Sequence, residues 1–198
     1  MANTIKEGGL RLVEARVDQP LMTCVHSASE RLGIGDAVKL AGSSAQVAGG
    51  PYTTTVALVA AGDSVFGVVQ GVVREAVATG MNLDIRHAAS GVATYVLVRP
   101  AHSSDVYAIT EDGTLAVASV GNCADITGNG GGTTITECNS TTGMSTLMLD
   151  TSTAQAGTGT LKILGFEDKP DNTPASANSS ILVSINETEL TGAGTSGV

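Results

Sequence analysis

Between Thr55 and Asn186 the aliphatic residues come in short Val, Leu and Ile runs, each ended within a few positions by Gly, Ser, Thr or Asn. Runs this brief do not build long amphipathic helices, and the residues that separate them are the ones that supply turns. The pattern predicts an all-β protein, an antiparallel barrel or jelly-roll-like sandwich with very little helix.

Individual segments refine that expectation. Thr54–Ala60 and Ser64–Val73 flank Ala61-Gly62-Asp63 and read as a hairpin. In the second run, Val65 and Val69 lie on one side and Phe66, Val68 and Val72 on the other, as in a strand buried on both faces. Gly67 and Gly71 within it predict bulges or bends. Thr94–Arg99 reads as a strand stopped by Pro100. Asp105–Thr110 and Thr114–Ala118, joined by Glu111-Asp112-Gly113, read as a second hairpin. Further strands are expected at Thr133–Cys138, Leu147–Asp150, Leu161–Phe166 and Ile181–Asn186, giving about ten in all. Ser27–Leu32, with Glu30 three residues after Ser27, and Arg74–Ala78 are the only helical candidates. The chain divides into an N-terminal arm with a small β segment (1–50), a β-barrel or sandwich domain (51–190) and a flexible tail (191–198).

Composition limits function more than it defines it. With 198 residues the chain can bury about 70% of its unfolded surface. Two Phe, three Tyr and no Trp leave the core to Val, Leu, Ile and Ala. Each of these buries less area than an aromatic, so modest monomer stability or support from an oligomer is expected. A net charge of −9, without a cluster of Lys and Arg, disfavours nucleic acid as a partner. No apolar stretch is long enough for a membrane span, and residues 1–7 lack the apolar core of a secretory signal, so a soluble protein made in the cytoplasm is expected.

The residues that carry chemistry do not assemble into a known pattern. Cys24, Cys123 and Cys138 with His26, His87 and His102 lack metal-ligand spacing. Cys123 and Cys138 flank a Gly-rich stretch, and the spacing leaves open whether they join. There is no G-x-S-x-G elbow around a serine. Gly33-Ile34-Gly35 and Gly128–Gly132 lack the Lys-Ser/Thr of a phosphate cradle. Glu111-Asp112 and Glu167-Asp168 sit in turn contexts. No catalytic residue, metal site or cofactor is expected.

Three stretches together resemble the head decoration, or cement, proteins of tailed bacteriophages. They are Ser64-Val65-Phe66-Gly67-Val68-Val69-Gln70-Gly71-Val72, then Thr94–Pro100 with Asp105–Gly113, then Gly121–Asp125 through Gly143-Met144-Ser145 and Leu149-Asp150 to Leu161–Phe166, Pro170-Asp171-Asn172 and Val183–Asn186. In order and spacing they are similar to that family's β-barrel, with its "G-V-V" strand, its "Y-V-x-V" strand and its closing "K-I-L…D-N…V-x-I-N" hairpin. The resemblance covers roughly Thr54 to Glu189. It implies a non-enzymatic virion protein on the outer capsid surface that clamps neighbouring major capsid subunits as a homodimer or homotrimer.

In such a protein an N-terminal arm is able to add a strand to a neighbour's sheet edge. Leu10–Val17 is the candidate segment, with Leu10, Leu12 and Leu21 as apolar anchors and Arg11 and Arg16 facing capsid carboxylates. The same segment equally suits pairing with its own barrel, because edge strands are commonly covered internally. Alternatives are another viral structural protein (tail, fibre or shell), or a cellular β-barrel adhesin or carbohydrate-binding module. The absence of Trp argues against a sugar platform.

Overall fold

The computed structural model describes residues 3, 8–16, 18–27, 29–47, 50–73, 86–128, 135 and 137–190. Its twelve strands are β1 (Arg11–Glu14), β2 (Met22–His26), β3 (Ala37–Ala45), β4 (Thr53–Leu58), β5 (Gly67–Val72), β6 (Tyr95–Pro100), β7 (Val106–Thr110), β8 (Cys123–Ala124), β9 (Ile126–Gly128), β10 (Leu147–Leu149), β11 (Leu161–Phe166) and β12 (Ser180–Ile185). Helix among the described residues is limited to two short 3-10 turns, Val117–Ser119 and Thr151–Thr153. The all-β expectation holds.

Strands β2-β4-β3-β5-β6 close into a barrel, and β1-β7-β12-β11-β8 form a separate sheet, with β9 and β10 pairing beside them. That sheet is antiparallel throughout, whereas the barrel closes through one parallel pair, β2 with β4. The expected division at residue 50 runs through the barrel, because β2 and β3 supply two of its five strands.

Two apolar cores follow from strand alternation. Inside the barrel lie Cys24, Val38, Val56, Phe66, Val69, Val96 and Val98, with Phe66 as their one aromatic. Between barrel and sheet lies the second, in which Ala37, Val59, Val65 and Val68 meet Tyr107, Ile109, Ile163, Ile181 and Val183. Register explains the sheet's contribution. Leu12, Tyr107, Val183 and Ile163 stand opposite one another across four strands, so their side chains share one face. Strand β5 is buried on both faces as expected, but the grouping differs: Val65 joins Val68 in one core, and Phe66 and Val72 join Val69 in the other, Val72 being moved across by the slip between Val69 and Gly71.

Its two glycines have distinct uses. The register slips between Val69 and Gly71, which is the predicted bulge. At Gly67 a side chain would run into the Arg99 carbonyl, so glycine there permits close approach of β5 to β6.

Both predicted hairpins are replaced by longer-range pairings. β4 and β5 are not neighbours, because β3 lies between them and pairs with each. The Ala60–Asp63 turn still forms, with Asp63 Oδ2 accepting from Ala60 N at 2.7 Å and from Lys39 Nζ at 2.6 Å. It carries the chain across β3 instead of folding it back on β4. After β7 there is no returning strand, since both edges of β7 are already occupied by β1 and β12. Glu111 instead bridges to Leu149, and its buried carboxylate accepts from Leu115 N at 2.7 Å and Ser179 N at 3.1 Å. Leu115 is thereby drawn into the core, and residues 117–119 become a 3-10 turn.

The described residues of Ser27–Leu32 are not helical either. Glu30 Oε1 accepts from Leu58 N at 2.8 Å, and Leu32 bridges to Ala88, so this segment is spent on barrel contacts. The expected Arg74–Ala78 helix and the tail 191–198 lie outside the described residues; of the expected Thr133–Cys138 strand only Ile135, Glu137 and Cys138 are described, and none of these is in a strand.

Candidate functional site

The five residues expected to grip a partner fall in different environments. Gly8 and Gly9, with φ of 140° and 54°, turn the chain so that Leu10 enters the core between sheet and barrel, where it is 1% exposed. Its backbone N–H donates to the Gly35 carbonyl at 3.0 Å. Leu12 packs on the same core. Leu10 is therefore a core residue, and Leu12 faces inward from the row it shares with Tyr107.

Arg11 is half exposed, yet its Nη2 donates to both oxygens of Glu167 at 2.8 Å. Glu167 also accepts from Ser180 Oγ at 2.7 Å and Lys169 Nζ at 2.9 Å. Burial pulls this carboxyl upward, but the bonds from Lys169, Ser180 and Arg11 outweigh it and leave its pKa below the ordinary value. Arg16 pairs with Glu14 at 3.2 Å, an exposed contact, while its backbone N–H donates to Asp105 Oδ1 at 3.0 Å. Leu21 precedes β2 on the barrel and is 46% exposed. Arg11 and Leu12 thus pair with β7 of their own sheet, Leu10 just before them is anchored to Gly35, and Leu21 precedes β2 on the barrel.

A cleft of about 210 Å³ opens where this segment leaves the sheet. Gly8–Leu12, Ile34, Gly35, Gln70, Ala108–Thr110, Met144 and Ser180 line it. Its walls are mainly apolar, with Arg11 at the rim, which suits the binding of an aliphatic group more than bond-making chemistry.

Sequence reasoning missed what lies behind it. Asp36 is fully buried, its Oδ2 accepts from Gly33 N at 2.7 Å, and its Oδ1 has no hydrogen-bond partner. Burial pushes its pKa up to about 7, against the opposing influence of the Ser145 hydroxyl and the Gly33 N–H. The signal available was Gly33-Ile34-Gly35-Asp36, a tight turn followed at once by a buried strand.

The remaining chemistry-bearing groups are scattered or quiet. The His26 ring points towards the carbonyls of Glu30 and Val92 without reaching hydrogen-bond geometry, and burial lowers its pKa. Burial pushes the Cys24 and Cys138 thiols up to about 11 and 12, which suppresses thiolate formation. Cys123 and Cys138 are both free and buried; Cys138 lies against Gly33, and Cys123 pairs with Lys162 and bridges to Gln155. Among the described residues no three His, Cys, Asp or Glu side chains are grouped to hold a metal ion. No helix there is long and apolar enough to cross a membrane. No protein-family model matches the chain, and no curated protein or solved structure matches it.

Proposed function

We propose that this protein is a non-enzymatic virion component that sits on the outer face of an icosahedral phage capsid and cements neighbouring major capsid subunits. The observation that supports this reading is the pairing of the segments that resemble decoration proteins. The Gly67–Val72 and Tyr95–Pro100 strands are antiparallel neighbours, and Leu161–Phe166 forms an antiparallel pair with Ser180–Ile185. The two pairs lie in different sheets, so the resemblance extends to paired segments rather than to one barrel. Leu21, with Met22 beside it, is the exposed apolar contact this reading favours, and Arg16 is the cation nearest to hand along the chain. Leu10 serves the core, and removing residues 1–20 would cost stability as well as contacts.

The test is addition of purified protein to heads that lack it, followed by sedimentation and electron microscopy. Saturable attachment as external knobs at lattice positions is the expected result. Absence of attachment, or incorporation into a continuous shell, would sink the reading.

A further inference from the structure

The N-terminal segment is seated on a buried carboxyl group. Gly8 N donates to Ser145 O at 2.9 Å, Ser145 N donates to Ile34 O at 2.9 Å, and Leu10 N donates to Gly35 O at 3.0 Å. The seat is tight. A side chain at Gly9 would strike Ser145 and the Gly35 carbonyl, and one at Gly35 would strike the Gly8 carbonyl. Directly beneath, the Ser145 hydroxyl faces the Asp36 carboxyl, whose backbone is tied to Gly33 O at 3.3 Å and to Val69 N at 2.9 Å. Three chain segments thus converge on one side chain with an unpartnered oxygen.

We infer that Asp36 is a pH-sensitive latch: its ionisation unseats the Gly8–Glu14 segment and frees the outer edge of β7. A neutral carboxyl fits the buried junction, whereas a carboxylate there has Gly33 N–H and the facing Ser145 hydroxyl, which makes no hydrogen bond to its second oxygen. One hydroxyl does not replace the hydration of a carboxylate, and water supplies the rest. The adjoining cleft, lined by Gly8, Gly9 and Gly35, is the route by which water arrives, and opening that route separates the arm from Ser145.

Few other charges are close. From the 137–145 loop the Cys138 thiol faces Asp36, and the Arg31–Glu137 pair, 2.6 Å, lies beyond it. Among the described residues the Gly8–Leu10 segment and β5 carry no titratable side chain, and Lys39 on β3 is engaged by Asp63. The direction follows from linkage. With the seated carboxyl at about 7 and the ordinary value of 3.8 in the open form, the seated form holds the extra proton between those values. Rising pH therefore favours opening across that window and has no further effect above it.

Hydrogen exchange of the full-length chain, corrected for intrinsic pH dependence, tests this without reference to capsids. Protection of Gly8–Glu14 amides should fall about tenfold per pH unit between about pH 5 and pH 7, then level off. Protection in β11 and β12 should not follow it. In Asp36→Asn the pH dependence should vanish. Uniform protection in the wild type, or an unchanged slope in Asp36→Asn, would overturn the latch. Should that variant not fold, a carboxyl-carbon NMR titration of wild-type Asp36 decides. A midpoint near 7 supports the latch, and one below about 5 overturns it.

Discussion

Arg99 Nε donates to Asp105 Oδ2 at 2.9 Å, joining the end of the barrel's β6 to the start of the sheet's β7 through a pair in which Asp105 is fully buried. Asp105 Oδ1 also accepts from Arg16 N, so one carboxylate fixes the barrel, the sheet and the N-terminal strand.

Removing one partner of that pair leaves the other charge buried. Asp105→Leu should cost about 3–5 kcal/mol in urea unfolding, whereas Arg99→Leu combined with Asp105→Leu should cost less than Asp105→Leu alone. A double variant as unstable as the sum of the two single ones would show that the pair is not coupled.

Leu10 and Leu21 look alike in sequence and differ in role. Leu10→Ala should destabilise by about 2–5 kcal/mol, because the cavity opens in the core between sheet and barrel. Leu21→Ala should change stability by less than about 0.5 kcal/mol. If Leu21 meets the capsid, that variant should weaken attachment to heads while melting like the wild type.

Two glycines with positive φ separate conformational strain from steric conflict. Gly42, at φ 70°, has open space where a side chain would go, so Gly42→Ala should cost about 1 kcal/mol. Gly35, at φ 90°, would drive a methyl into the Gly8 carbonyl, and Gly35→Ala should cost at least about 2 kcal/mol. Its damage should appear first as lost exchange protection in Gly8–Glu14.

His26 and Asp36 pull stability in opposite directions with pH. Burial holds the His26 pKa below 6.5, so its contribution is fully present above 6.5 and is lost as pH falls from there through the lower folded value. Asp36, raised to about 7, contributes stability at low pH that is lost as pH rises towards 7. The His26 effect is best read in the Asp36→Asn background. There, unfolding free energies from denaturant titrations below pH 6.5 should fall by up to about 1.4 kcal/mol per pH unit. Adding His26→Leu should remove that slope, and persistence of the slope would assign it to another group.

The strands were legible in the sequence because the cause of a strand is local. Val68 and Val69 belong on opposite faces of any extended segment, and the short run bounded by glycines allows little else. Gly71 announced its bulge for the same reason. Of the candidate site, the sequence identified the N-terminal strand but not its seating. Leu10 and Leu21 are equivalent until one knows which of them the Gly8–Gly9 turn points inward.

Alternation alone thus determined an aliphatic, aromatic-poor β protein with buried strand faces. Tertiary structure decided which strands are neighbours, because a Val-rich edge accepts many partners with nearly equal energy. β3 took the place between β4 and β5 that the hairpin reading gave to a turn. β1 and β12 filled the edges of β7, leaving Thr114–Ala118 no strand to join. The burial of Asp36 has the same origin: its environment is built by Gly33, Val69 and Ser145, which meet only when barrel, loop and arm close on one another.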